Sequence, residues 1–364
     1  MRVRVSRLVV LLWRDGQLVC DDPLRHRQFA LTVEAERLLR DYAEWAELDG
    51  RLAQQLLDAH VLVAEGSPEH AQEERLGAWR ELGPAATYYH LASRTLGRDV
   101  FRSAAEDAAV LRAKTDQPDP VKEHDGPRIA LPPADPPAID FTSVLRARRS
   151  TRWFDPDRPV PLPAFAALLR WTAGVRREVD VSGVGTALLK TVPSGGARHP
   201  VEVYPVVRDV EGLEPGVYHY SVRRHELVWL APASGEERLR EWCGGQPHAA
   251  QAGFLLMYAA VLGRTVWKYP AARAYRALLL DVGHLSQTVY LTATALGLGT
   301  FFTAATRDAP VEDALGLSWP DEIFLGVSGV GVPHPAERER QAAMLDGGEA
   351  AFSFPPDAWH GRGE

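Results

Sequence analysis

Only two cysteines, Cys20 and Cys243, occur in the 364 residues. They are too few for a disulfide framework and are not spaced as metal ligands, so a reducing, cytoplasmic setting is expected. Positive charge is also in short supply. Lys and Arg total 41 against 48 Asp and Glu, a formal charge of -7, which disfavours broad binding to nucleic acid or an anionic membrane. Long apolar runs are missing as well: LVVLLW near the start is cut by Arg14 and Asp15, and GFLLMYAAVLG at 253–263 falls short of the roughly 20 residues that span a bilayer. There is no GxGxxG, no Gly-Lys-Ser/Thr phosphate loop and no GxSxG elbow, which removes the dinucleotide-fold, P-loop and serine-hydrolase readings. His219, His225 and His248 lack metal-ligand spacing and read as surface or strand residues; no metal is expected.

What is present is a composition ordinary for a globular chain of two domains, divided by a stretch crowded with proline and acids, TDQPDPVKEHDGPRIALPPADPPAID. Upstream, VRVSRLVVLLW and GQLVC flank Asp15-Gly16, the chemistry of a tight hairpin, and RQFALT suits a third strand. Thr32 is a candidate N-cap for TVEAERLLRDYAEWAEL, with Glu34 and Glu36 favourably placed in the first turn, and RLAQQLLDAHVLVAEG reads as a second helix. This order resembles the PqqD-like winged-helix domains that grip leader peptides of ribosomal natural products. A small domain serving dimerisation fits the same pattern, whereas DNA reading is disfavoured by the acids interspersed with Arg37, Arg40 and Arg51. ATYYHLASRTLGRDVFRSAAEDAAVLRAK reads as one amphipathic helix whose Tyr88, Tyr89, His90, Ser93 and Arg94 suit either a peptide groove or simple packing.

Three stretches downstream carry chemistry. In RRSTRWFD, Arg148, Arg149 and Arg152 surround Ser150, a donor set matched to phosphate oxygens and equally to a solvated basic helix end. In TVPSGGARHPVEVYPVV, the loop Pro193-Ser194-Gly195-Gly196 precedes a strand-like run. Its adjacent glycines let backbone approach something flat, and their amides are free to donate to ring atoms. WKYPAARAYRALLLDVGHLSQTVYL sets Lys268 and Tyr269 ahead of a helix, expected over 271–296, that is apolar nearly all round and therefore buried in a core or an interface. Gly283 within it implies a close neighbour, a dimer partner being one candidate. Asp281 is expected to satisfy Arg273 or Arg276.

Taken in order, RRSTRWFD, PSGGARHPVEVY, GLEPGVYHY, WKYPAARAYRALLLDVGHLSQTVYL and ALGLGTFF resemble the nitroreductase superfamily, and within it the SagB-type, McbC-like azoline dehydrogenases. The resemblance covers about residues 141–332. It implies an α+β fold, a mixed and mostly antiparallel sheet wrapped by helices, in a homodimer holding FMN at the subunit interface. The organisation then reads as a winged-helix-like peptide-recognition domain at 1–70, a helical and proline-rich connector at 71–140, and the dehydrogenase domain at 141–364. By position, Arg148, Arg149, Ser150 and Arg152 would hold the FMN phosphate and ribityl chain, and Pro193, Ser194, Gly195 and Gly196 the isoalloxazine ring. Gln287, Leu298, Gly299 and Arg338 are further cofactor contacts on looser local matches, and His199 is a candidate substrate contact.

The family uses a Lys-Tyr pair where this chain has Lys268 and Tyr269. The implied reaction is oxidation of thiazolines or oxazolines to azoles in a ribosomally made precursor peptide, after a YcaO-type cyclodehydratase has formed the rings. Molecular oxygen would reoxidise the flavin. One ring hydrogen leaves as hydride and the adjacent one as a proton, so the protein must orient the ring and supply a base. Burial can bring a lysine into the basic range, which makes Lys268 a candidate, while Tyr269 can orient the ring, assist proton transfer or stabilise charge; the division between them stays open. An NAD(P)H-fed nitro or quinone reductase, and a catalytically degenerate peptide-recruiting scaffold, are the alternatives.

Overall fold

The computed structural model describes residues 1–114, 117–181 and 185–345. The end of the expected dehydrogenase domain, 346–364, lies outside the described residues, as do positions 115 and 116 of the proline-rich stretch. The chain divides into two compact units, Met1–Phe101 with Ala271–Arg273, and Arg102–Pro270 with the chain from Ala274 on.

In the first unit the N-terminal apolar stretch is two strands, where the sequence reads as one. Arg2–Val5 lies between Ala46–Glu47 and Leu62–Ala64, while Val10–Arg14 pairs with Gln17–Asp22 in a second sheet. The cause of the break is Glu73, which binds Arg4 Nη2 at 2.7 Å and takes the Ser6 hydroxyl and the Arg7 amide at 2.6 and 3.2 Å. The hairpin turns at Asp15 and Gly16, both at positive φ as a tight two-residue turn requires, and Arg27–Ala30 is its third strand. Thr32 caps the helix Val33–Asp41, its hydroxyl accepting from the Ala35 amide at 3.2 Å. That helix stops before Trp45, and Ala46–Glu47 is recruited as a strand. Arg51–Asp58, Pro68–Glu74 and Gly77–Ala92 complete the unit. The single helix expected from 86 onward is interrupted: a Ser103/Glu106 capping box starts a new one, Ala104–Arg112.

The second unit is α+β. Its seven-stranded sheet runs Gly299–Thr303, Glu322–Gly331, Phe254–Val261, Val201–Val207, Gly216–Ser221, Glu226–Pro232, Arg128–Ala130, each neighbouring pair antiparallel. Parallel bridges join Ser150 to Thr300 and Val160 to Val210. GFLLMYAAVLG is the third strand of that order, and it is continuously apolar because both faces are covered. Phe254, Leu256 and Tyr258 face a core shared with Phe165 and Leu169 of the helix Leu162–Thr172 and with Val282, Leu285 and Val289 of the helix Ala274–Ala295. Leu255, Met257 and Ala259 face a second core with Trp242, Val311 and Leu315.

The long helix buries one side within this chain and leaves apolar residues exposed on the other. Its buried stripe includes Leu278, Val282, Leu285 and Val289, whereas Leu279 and Leu280 are 47% and 62% exposed. A Cβ on Gly283 would meet nothing within 4 Å, so no close neighbour among the described residues explains that glycine. Cys20 and Cys243 are buried, and burial, aided at Cys20 by Asp22 and Asp21, pushes both thiols up to about 12. No described helix is long and apolar enough to cross a membrane.

Candidate active site

The loop between the hairpin Val175–Val181/Gly185–Lys190 and the strand Val201–Val207 folds into a single tight turn, Gly195–Ala197. Its backbone is strained. Gly196 has φ +64°, and Ala197 and His199, neither of them glycine, have φ +55° and +43°. Left-handed backbone at such residues persists only where the surroundings impose it.

Three tethers do so. Asp281, from the long helix, accepts the Ser194 hydroxyl at 2.6 Å and the Gly195 amide at 3.1 Å, in place of the arginine partner expected from sequence. The Ser194 oxygen in turn accepts the His199 amide at 2.9 Å. Burial raises the Asp281 carboxyl above its ordinary range, against the two hydrogen bonds, which favour the ionised form. The second tether is His199 itself, 7% exposed, with Nε2 on the Leu188 carbonyl at 2.9 Å and its ring driven to about 3 by burial and by Lys190. Arg264 is the third, donating to the His199 carbonyl at 3.2 Å. The Gly195 amide, read from sequence as free to meet a ring atom, is therefore already engaged.

Arg264 also places Lys268 and Tyr269. The strand Phe254–Val261 passes directly into the short helix Leu262–Lys268, where Arg264 and Thr265 are buried and Tyr269 is the C-terminal cap. Arg264 binds Glu202 at 2.6 Å and the Asp119 carbonyl at 2.8 Å, so one guanidinium ties this helix to the loop and to the sheet. Burial opposes charge on Glu202, yet the His219 hydrogen bond at 2.9 Å and the Arg264 charge overcome it and hold the carboxyl below its ordinary range. His219, read as surface or strand, is a strand residue with no exposure at all.

With both segments fixed, the Lys268 ammonium and the Tyr269 hydroxyl converge on Gly196. A Cβ there would lie 2.5 Å from Tyr269 Oη and 2.7 Å from Lys268 Nζ. Lys268 and Tyr269 are each half-buried, at the end of their helix. Behind the loop a pocket is lined by Lys190, Ser194, His199 and Asp281, and burial lowers the Lys190 ammonium to about 8, with Glu202 opposing. Sequence gave no signal for Lys190, Glu202 or Arg264; each lies in a short run that reads as an ordinary strand or helix.

The arginine cluster lies at the other end of the same long helix. Asp140 caps the helix Phe141–Ala147, Arg148 ends it, and Ser150 bridges to Thr300. Tyr290 organises this end: its hydroxyl meets Ser150 Oγ at 3.0 Å and accepts the Phe302 amide at 2.9 Å, and Arg148 lies over its ring at 5.4 Å. Gly299 is needed for the close approach, since a Cβ would lie 2.6 Å from Thr151 Cγ2. Arg338, on the helix Pro335–Leu345, donates to the Gly297 carbonyl at 3.0 Å, and Gln341 of that helix reaches Thr151 at 3.3 Å. Arg152 is exposed but close enough to help hold His248, a buried helix residue where a surface or strand one was expected, at about 4, burial being the larger cause. Among the described residues none of Arg148, Arg149, Arg152 and Arg338 pairs with a carboxylate. Gln287 stands exposed between the two ends of the helix, and Leu298 is buried.

A sequence profile of the nitroreductase family matches residues 145–332. The trifolitoxin-processing protein TfxB of Rhizobium leguminosarum bv. trifolii is 32% identical over 254 residues, 64% of this chain and 66% of that protein, just under two thirds of its length. A protein of Methanocaldococcus jannaschii provisionally named a nitroreductase is 37% identical over 177 residues, 49% of this chain and 84% of that one. A crystal structure from Anabaena variabilis, provisionally described as a nitroreductase, shares the fold, with a TM-score of 0.53 at 22% identity, covering 69% of this chain and 48% of that chain.

Proposed function

Since the chain belongs to the nitroreductase family, we propose that it is an FMN-dependent dehydrogenase that oxidises thiazoline or oxazoline rings to azoles in a ribosomally made peptide, following a YcaO-type cyclodehydratase. The observation that carries the reading is the convergence of Lys268 Nζ and Tyr269 Oη on Gly196, which sets two groups able to take a proton from carbon beside the proposed flavin loop. The relative named for trifolitoxin processing supports a peptide substrate.

The residues present suit FMN. Guanidiniums that pair with no carboxylate among the described residues gather near Ser150 and Gly299, a donor set for a phosphate, and the Pro193–Gly196 loop, with the ends of the Lys268 and Tyr269 side chains against Gly196, is where a flat ring would meet that pair. Bound there, the flavin supplies a two-electron acceptor for a hydrogen leaving carbon. The chain's own work is to fix the loop through Asp281, hold the azoline against it, and receive the proton from the adjacent ring position on Lys268 or Tyr269. One hydride and one proton leave the ring, which balances an azoline against an azole.

Two features support the expected assembly. Tyr275, Leu279 and Leu280 expose an apolar face on the long helix next to Phe141 and Leu145 of the helix packed beside it, a surface suited to a second copy. In the first unit, a groove lined by Leu8, Val9, Val10, Trp79, Pro84 and Tyr88 runs by the strand Val10–Arg14, whose outer edge pairs with no described strand, a setting for an extended leader peptide. The test is to record the visible absorbance of the purified protein and incubate it with an azoline-bearing peptide under air. The expected result is a mass loss of about 2 Da per ring, abolished in Lys268→Ala or Tyr269→Phe with flavin still bound. Rapid bleaching by NAD(P)H with no mass loss would overturn the reading.

A further inference from the structure

At the start of the proline-rich stretch the chain is tied at successive points to parts of the candidate site. Lys114 Nζ donates to the Trp267 carbonyl, and its ammonium lies over the Trp267 ring at 5.8 Å. That carbonyl is in the last turn of the helix Leu262–Lys268, where carbonyls find no partner inside the helix and a lysine is suited to close the end. Trp267 directly precedes Lys268 and Tyr269, so the bond falls on the backbone that carries the pair. Gln117 Nε2 donates to the Thr186 carbonyl of the hairpin at 2.7 Å. Two residues on, the Asp119 carbonyl takes Arg264 Nε at 2.8 Å, while the Asp119 carboxylate accepts the Val121 amide at 3.0 Å and fixes the bend there. Val121 is 4% exposed in the core that holds Phe165 and Leu169, and Lys122 Nζ binds Glu322 at 2.7 Å and the Tyr204 hydroxyl at 3.0 Å.

A spacer needs none of these bonds. Pro118 and Pro120 limit the freedom of the segment before it is ordered, and both line a small cavity with Ala197, Arg198 and Arg264 beside the strained turn. We propose that Lys114 and residues 117–122 form a strap that positions Lys268 and Tyr269, with Lys114 the positioning residue at the helix end. The proposal rests on the assignment of that pair as the reacting groups, and Lys114 acts on them through the Trp267 backbone. Arg264 and the Trp267 carbonyl are three residues apart, so the strap grips the short helix near its middle and at its end. The Tyr269 amide closes the last turn on the Thr265 carbonyl at 2.9 Å. Without the grip of Lys114 that turn is free to fray, and Lys268 and Tyr269 move with it.

The experiment uses the full-length, flavin-loaded protein. Hydrogen exchange of the peptide spanning 262–269 is followed by mass spectrometry, and kcat and KM for an azoline-bearing peptide are taken per flavin-bearing molecule. Lys114→Met keeps the stem and removes the donor. Exchange in the last turn should quicken about tenfold and kcat should fall about tenfold or more, while KM and flavin content stay within about twofold. Lys114→Arg, which can still donate to the carbonyl, should restore most of both. Lys114→Ala serves if the Met variant does not fold. Unchanged exchange and kcat in the neutral variants overturn the proposal, as does quickened exchange with kcat intact, or a loss of kcat that arginine leaves uncorrected. A wild type that oxidises no azoline refutes the dehydrogenase reading instead, and the exchange measurement alone then decides whether Lys114 holds the helix.

Discussion

Gly196→Ala tests the geometry of the site most directly. The added carbon would lie 2.5 Å from Tyr269 Oη, 2.7 Å from Lys268 Nζ and 2.8 Å from Lys268 Cδ. Ordinary contact begins near 3.5 Å, so the two side chains must retreat by about 1 Å. Backbone strain adds to this: φ is +64°, and left-handed backbone costs an alanine about 1–2 kcal/mol more than glycine. The atoms in the way are the far ends of flexible side chains, so the protein should fold with a modest loss of about 1–2 kcal/mol. Activity should suffer far more, because a displacement of about 1 Å in a reacting group can cost on the order of 100-fold in rate. The rate is taken per flavin-bearing molecule from the mass shift of an azoline peptide, and stability from urea unfolding. A double-mutant cycle with Tyr269→Phe should recover about 0.5 kcal/mol or more, since that change removes the oxygen nearest the new methyl. Gly263→Ala on the same short helix, where a Cβ meets nothing, is the control and should be neutral or slightly stabilising. Full turnover in Gly196→Ala would mean that Lys268 and Tyr269 do no chemistry at this point of the loop.

Arg264→Met leaves the buried Glu202 with His219 alone and should cost about 3–5 kcal/mol in urea unfolding, the usual penalty for stranding one partner of a buried pair; a loss under about 1 kcal/mol would show that the pair is dispensable. Lys190 carries a pH signature. Its ammonium is lowered from 10.5 to about 8, so between those values the unfolded chain binds the extra proton and stability contributed by this group rises with pH, by at most about 3 kcal/mol. Lys190→Met should abolish that rise in unfolding curves taken from pH 7 to pH 10, and an unchanged slope would place the ammonium in solvent. Leu280→Glu puts a charge on the exposed apolar face of the long helix and should leave a single copy unharmed; sedimentation should then show a shift from dimer to monomer, and a wild type already monomeric would remove the assigned role of that face.

How much of this was legible in the sequence depended on whether the cause of a feature was local. VEVYPVV was readable as a strand because it is rich in β-branched residues, whereas GFLLMYAAVLG, read only as too short to span a bilayer, is a strand buried on both faces. The Asp15-Gly16 turn and the Thr32 cap were readable because turns and caps are set by the residues that form them. Partnerships across the chain were not. Nothing near Ser6 announces Glu73, 67 residues away, as the group that breaks the first strand. Asp281 has arginines within helical reach, yet its partner is Ser194, 87 residues distant, because the helix presents Asp281 to the loop. The long helix shows a further limit. An apolar residue reads alike whether it is buried in its own chain, as Leu278 and Val282 are, or exposed on the surface, as Leu280 is.

The arrangement of that helix supplies a physical reason for the order of motifs along the chain. Asp281 holds the loop that carries Gly196, and Tyr290 holds Ser150 together with the strand that begins at Gly299. Nine residues separate them, on the order of 13 Å along a helix axis. A helix tied at one point to the Gly196 loop and at another to the segment of Arg148 and Ser150, whose guanidiniums pair with no carboxylate among the described residues, fixes the distance between the two. Neither tether touches the reacting pair. Lys268 and Tyr269 are held by a different element, the short helix at the end of the strand Phe254–Val261, and Arg264 is the side chain that ties that helix to the loop. On the proposed function, the Asp281 tether would bear on cofactor placement without contributing to the helix that carries Lys268 and Tyr269. Asp281→Ala should weaken flavin binding, read from the visible absorbance retained after gel filtration, while flavin-loaded molecules keep their pH profile. If flavin-loaded Asp281→Ala molecules showed a shifted pH profile, the site would be one cooperative unit and the division argued from Asp281 would fail.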